Sequence, residues 1–201
     1  MFEIIELTAV VTAAVYGILQ ARSARMDVLG VFTVAFATAF GGGTLRDLFL
    51  DRHPLFWIAK PHYTMIVFAM AVVSCLFRRL PVAYKKLLYL PDALGLGLFS
   101  VVGVQYALEQ KTGYFIAALM GVITGTFGGV ISDILCVRVP ALFKSAPLYA
   151  TVSFAGCWVF LLLLHFQVAH NVAALVGIAA IVLFRGIALY WNLCLPEMRD
   201  D

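Results

Sequence analysis

Two short stretches hold the polar groups from which chemistry inside a membrane can be built. Phe40-Gly41-Gly42-Gly43-Thr44-Leu45-Arg46-Asp47 and Phe127-Gly128-Gly129-Val130-Ile131-Ser132-Asp133 each set a carboxylate four residues after a glycine pair, within an otherwise apolar run. Glycine weakens a helix by about 1 kcal/mol relative to alanine and supplies no side-chain contact. Adjacent glycines inside a hydrophobic run therefore predict a helix broken at each motif. Backbone freed by a break must line water or be buried in protein, since amides and carbonyls left facing lipid are costly. The chemistry suited to such a place is passage of a small cation. Carbonyls at Gly41, Gly42, Gly43, Gly128 and Gly129, hydroxyls of Thr38, Thr44, Thr124, Thr126 and Ser132, and the carboxylates of Asp47 and Asp133 would line a hydrated route.

Each of these residues has a blander role to be weighed. Arg46 either lines the route or pairs with Asp47 or Asp133 and so knits the two stretches together. The glycines either form hinges or let helices pack closely, although three in a row suit a bend better than a packing stripe of one per turn. Arg185, in Phe184-Arg185-Gly186, either anchors the end of its helix at the interface or reaches an acidic partner in the bundle. Enzymatic readings find little support: the chain has no Gly-x-Ser-x-Gly, no P-loop and no metal-ligand spacing. An Asp47–Asp133 pair is the one catalytic arrangement on offer, and its glycine context does not suit it. No cofactor, resident metal or nucleic-acid partner is expected.

The elements that must position these residues are membrane spans. The 201-residue chain is 63% hydrophobic and 12% charged, with mean hydropathy +0.99 and a net charge of only +3. A soluble core of this size cannot bury so much apolar surface, so lipid is the natural solvent. Cys75, Cys136, Cys157 and Cys194 lie in or beside apolar runs without CxxC spacing and read as packing residues. Seven runs approach the length needed to cross about 30 Å of hydrocarbon. They cover roughly residues 4–21, 28–50, 63–77, 87–108, 114–137, 148–166 and 172–193. The first has Glu3 and Glu6 in place of a basic leader and is expected to stay as a span. The result is an all-α polytopic membrane protein with a single membrane domain over residues 1–201. Arg22, Arg25, Arg78, Arg79, Lys85, Lys86, Arg138, Lys144 and Arg199 fall on one side and Arg46, Arg52, Lys60 and Lys111 on the other, which predicts an outside N-terminus and an inside C-terminus.

The chain also repeats itself. At a displacement of 86 residues, Gly17 matches Gly103, Thr38 matches Thr124, Gly42 and Gly43 match Gly128 and Gly129, and Asp47 matches Asp133. Arg52 with Arg138, Pro54 with Pro140, Pro61 with Pro147 and Tyr63 with Tyr149 keep the same register. Each copy, about 1–80 and 87–166, holds three spans. An odd number inverts the second copy relative to the first and brings the two motifs face to face near the bilayer centre, with a seventh helix at about 171–195 completing the bundle.

With these residues in view, the sequence resembles the bacterial branch of the trimeric intracellular cation channel family. The likeness rests on FGGGTLRD at 40–47, the shortened copy at 127–133, and the run from Arg185 to Pro196. It implies a homotrimer in the bacterial inner membrane, surrounded by lipid, with one pathway per protomer between kinked second and fifth spans, passing K⁺ and less selectively Na⁺. Ser132 stands where Arg46 does in the first copy, so the two gates it implies are not equivalent. Leu45-Arg46-Asp47 replaces the basic motif of the animal members. Some bacterial relatives are discussed as glycine carriers, which makes transport of a small zwitterion the rival reading.

Overall fold

The chain is described by a computed structural model covering residues 1–76, 88–144 and 147–196. Arg78, Arg79, Lys85, Lys86 and Arg199, used above to orient the chain, lie outside the described residues. Helix dominates what is described, because in lipid a helix is the simplest way for backbone to satisfy its own hydrogen bonds. In chain order the helices are α1 (Phe2–Ser23), α2 (Val28–Phe49), the short α3 (Phe56–Ala59), α4 (Pro61–Leu76), α5 (Tyr89–Glu109), α6 (Tyr114–Leu135), α7 (Ala150–His165) and α8 (His170–Tyr190). A single 3₁₀ turn, Ala141–Phe143, precedes α7. α1, α2, α5, α6 and α8 are long and apolar enough to cross a membrane, and α4 and α7 are shorter apolar helices.

Local sequence sets the helix ends. The Asp27 carboxylate accepts a hydrogen bond from the Gly30 amide at 2.8 Å and caps α2. At the other end, α1, α2, α5, α6, α7 and α8 are followed by a left-handed residue: Arg25, Asp51, Lys111, Val137, Gln167 and Asn192. The next amide then reaches back to a carbonyl of the last turn, as in Arg52 to Asp47 and Arg138 to Asp133, both 2.8 Å. None of these six is glycine, so the turns are held by their hydrogen bonds and packing rather than by backbone freedom.

The bundle centres on α2 packed against α6. α1 and α4 lie against α2, α5 and α7 lie against α6, and α8 packs on α5 and α7. The two central helices correspond residue for residue at the 86-residue displacement, Val28–Phe49 and Tyr114–Leu135. Val10, Val31, Ala35, Val67, Val104, Phe160 and Ile181 are among the fully buried core, while Leu29, Met65, Leu76 and Leu175 stand on the outer surface.

The predicted breaks are not there. α2 runs uninterrupted through Gly41, Gly42 and Gly43, and α6 through Gly128 and Gly129. The glycines instead let two backbones touch. A Cβ on Gly42 would overlap the carbonyl oxygen of Thr124, and a Cβ on Gly128 would overlap that of Thr38. Propensity argued for a break, but the close approach of α2 and α6 gives each unbroken helix a partner that only a missing side chain admits.

Candidate functional site

Two carboxylates near the helix starts organise the polar interior, one in each half. Glu6 of α1 is 2% exposed and accepts from Lys60 Nζ at 2.6 Å, from the Tyr106 hydroxyl at 2.9 Å and from the Tyr63 hydroxyl at 3.3 Å. Partial burial works to lower the Lys60 pKa, but the hydrogen bond and charge of Glu6 outweigh it and hold the ammonium above its ordinary range. Asp92 of α5, 86 residues on, accepts from the Tyr149 hydroxyl at 3.1 Å and from Arg185 Nη2 and Nε at 3.1 and 3.3 Å. Tyr63 and Tyr149 therefore do the same job in the two halves. The cation differs: Lys60 comes from the loop before α4, Arg185 from α8.

Asp47 and Asp133, at the ends of α2 and α6, tie each helix to the chain that follows it. Asp47 Oδ2 accepts the Phe56 amide at 2.8 Å, and Asp133 Oδ2 accepts the Ala141 amide at 3.2 Å. On its other oxygen Asp47 binds Arg46 Nη2 and Nε at 2.8 and 2.9 Å, with Arg52 Nη1 at 3.7 Å. Asp133 Oδ1 takes Gln20 Nε2 at 3.2 Å, and Gln20 in turn accepts from Arg138. Arg46 thus makes the ion pair with Asp47 that was one of its two expected roles. Its guanidinium carbon lies 4.1 Å from the Tyr106 ring centre and 5.0 Å from that of Phe56.

A cavity of about 520 Å³ opens in the second half. Asp92, Asp133, Arg138, Arg185, Tyr16 and Tyr149 supply its polar wall, and Gly129 and Val130 lie along it. Tyr16, Asp92, Gly129 and Tyr149 also border a cleft of about 20 Å³ between α2 and α6, lined by Thr38, Gly42, Gly43, Thr124 and Gly128. That volume holds about one water molecule. The structure thus brings Gly42, Gly43, Gly128, Gly129, Thr38 and Thr124 to the cleft and Asp133 and Arg185 to the cavity.

Other expected residues sit elsewhere. Gly41 faces the side chain of Ile131. The Thr44 hydroxyl bonds the Phe40 carbonyl and accepts from the Trp57 indole, and the Thr126 hydroxyl bonds the Val122 carbonyl. Thr38 and Thr124 likewise donate back to Val34 and Met120, so the hydroxyls at the cleft are already committed as donors. Ser132 is fully buried, and among the described residues its hydroxyl has no partner. Sequence reasoning missed Tyr16, Gln20 and Asp92, used Glu6 only against a basic leader, and used Tyr63 and Tyr149 only as matched positions of the repeat. A signal was available: the displacement that matches Tyr63 with Tyr149 also sets Glu6 opposite Asp92, two acids that a search for identities passes over.

The arrangement is a polar vestibule of mixed charge, two carboxylates and two arginines, leading into a one-water constriction between two helices. Comparison with known proteins agrees with a transport fold. A family model described as glycine transporter matches the chain twice, over residues 3–79 and 89–165, the same 86-residue displacement. The UPF0126 inner membrane protein YadS of Escherichia coli K12 is 34% identical over 202 residues, covering 98% of this chain and 96% of that protein. A UPF0126 membrane protein of Vibrio cholerae is 36% identical over 197 residues, covering 96% and 81%. The solved structure of the trimeric intracellular cation channel orthologue from Rhodobacter sphaeroides superposes with a TM-score of 0.90 at 34% identity, covering 96% of this chain and 98% of that one. Matched along nearly its whole length in both sequence and fold, the chain belongs to the bacterial branch of the trimeric intracellular cation channel family.

Proposed function

We propose that the protein is a cation channel of the bacterial cytoplasmic membrane, passing K⁺ and less selectively Na⁺, with its pathway inside each protomer between α2 and α6. The observation that carries this reading is the cavity of about 520 Å³ with Asp92 and Asp133 in its wall, narrowing to the cleft of about 20 Å³ beside Gly42, Gly43, Gly128 and Gly129. Asp92 and Asp133 offer a cation carboxylate oxygens beside Arg138 and Arg185, and a constriction of one water's width favours a small, largely dehydrated ion. The likeness to a cation channel orthologue from Rhodobacter sphaeroides points the same way. In this proposal α1, α2, α4, α5, α6, α7 and α8 are the seven spans, the two three-helix halves are inverted, and three copies assemble in lipid with each N-terminus outside. The protein acts by conduction and not by catalysis.

Glycine transport is the second reading, favoured by the description of the matching family model and by the mixed charge of the cavity. Arg138 and Arg185 suit a carboxylate, while Asp92, Asp133 and Tyr149 suit an ammonium. Single-channel recording and radiolabelled glycine uptake on one reconstituted preparation separate the two. Discrete K⁺ currents without saturable uptake are expected. Saturable uptake without unitary currents would replace the channel with a carrier.

A further inference from the structure

We infer that Arg46 is a plug that shuts one end of this conduit, and that Ser132, its counterpart in the duplicated chain, leaves the other end open as the wide cavity. The inference rests on the proposed route between α2 and α6 and adds which residue closes it, and where.

Three positions change together. In the first half Arg46 is wholly inaccessible, bound to Asp47 and stacked on the rings of Tyr106 and Phe56. At the 86-residue displacement the corresponding residues are Ser132 for Arg46, Gln20 for Tyr106 and Leu142 for Phe56. The second half has therefore lost the long cation and both aromatic faces that seat it. Ser132 is itself fully buried, but Gly129, Val130, Asp133 and Leu142 beside it line the cavity of about 520 Å³. Their counterparts are Gly43, Thr44, Asp47 and Phe56, of which Asp47 and Phe56 hold the Arg46 side chain. Gly43 in turn packs on that Phe56 ring, which a Cβ there would overlap.

The seat is incomplete, as a movable plug requires. Arg46 Nε and Nη2 both bond Asp47 Oδ1, while Nη1, although buried, has no partner among the described residues. Among the described residues, the hydroxyls of Thr64 and of Ser132, the residue matched to Arg46, share this property. Neither member of the pair is fully satisfied where it lies, so each gains a partner if its surroundings rearrange. A guanidinium here obstructs by volume and repels a cation by charge. Asp47 does not leave with it: Arg52, its guanidinium carbon 3.8 Å from the Tyr106 ring centre, remains within reach of that carboxylate.

The test uses a cysteine-free chain carrying Val130→Cys on the cavity wall, with a membrane-impermeant thiol reagent applied to one face of the membrane at a time. With Arg46 in place, the thiol is expected to react from the cavity face only. With Arg46→Ser it should react from both faces, and K⁺ flux should rise several-fold. Ser132→Arg gives the converse and does not depend on the stability of Arg46→Ser: labelling from the cavity face should fall at least tenfold. Single-face labelling that persists in Arg46→Ser, or undiminished labelling in Ser132→Arg, overturns the plug. Because labelling does not require conduction, a chain that passes neither K⁺ nor glycine would refute the proposed function while leaving this question decided.

Discussion

At the scale of single residues, the two halves solve one problem, a carboxylate buried at a helix start, with different cations. Asp92 and Arg185 have side chains only 11% and 7% exposed, so each depends on the other. Removing one partner of a buried pair leaves the other charge uncompensated, at a cost of about 3–5 kcal/mol. Asp92→Asn is therefore expected to lower the unfolding temperature of the detergent-solubilised protein clearly. Lys60→Met should do so much less, because Lys60 is 24% exposed and Glu6 keeps two tyrosine donors when it is gone. Equal losses in thermal unfolding would show that exposure does not govern these pairs. The sequence pointed to Asp47, Asp133 and Arg185 because they interrupt apolar runs. It hid Glu6 and Asp92 because an acid in the first turns of a span reads as the end of that span. Only their hydrogen bonds, to tyrosines some 57 residues further along, reveal that they lie inside the protein.

At the scale of elements, the extents of α2 and α6 were readable almost to the residue, since apolar length and the flanking polar connections bound them closely. Their continuity was not. Helix propensity registers the cost of adjacent glycines but not the neighbour that occupies the space they leave, and this neighbour is known only once α2 meets α6. The contact makes graded demands. Gly42→Ala and Gly128→Ala each drive a methyl into a carbonyl of the facing helix, whereas a methyl on Gly129 would meet only the Tyr149 hydroxyl at 3.3 Å. Overpacking of the first kind costs about 1–3 kcal/mol. The first two variants should accordingly unfold at lower temperature and give less folded protein, with Gly129→Ala close to the parent. A parent-like Gly42→Ala, measured by the same thermal unfolding, would mean that the helices separate freely at this crossing.

For the whole molecule, composition announced a membrane bundle, while the repeat set paired triplets and the polar connections set its orientation as expectations. That orientation has a direct check in exposed loop positions that sit at opposite ends of the bundle. A thiol introduced by Gly113→Cys, where a Cβ meets nothing within 4 Å, should react with an impermeant maleimide on intact cells, and one introduced by Arg25→Cys only after permeabilisation. The reverse pattern would turn the protein over. Sequence offered Arg185 of α8 an acidic partner in the bundle as one of two roles but did not name it; the partner is Asp92. α8 also holds the carbonyls of Pro147 and Leu148 through Arg185 Nη1 at 2.7 and 2.9 Å. This pairing bears on how the chain is made. Asp92 leaves the ribosome 93 positions before Arg185. At synthesis rates of about 5–20 residues per second, the acid waits roughly 5–20 seconds for its counter-ion. A nascent polypeptide halted short of α8 leaves the Asp92 carboxylate without its cation, so arrival of α8 is the step that neutralises it.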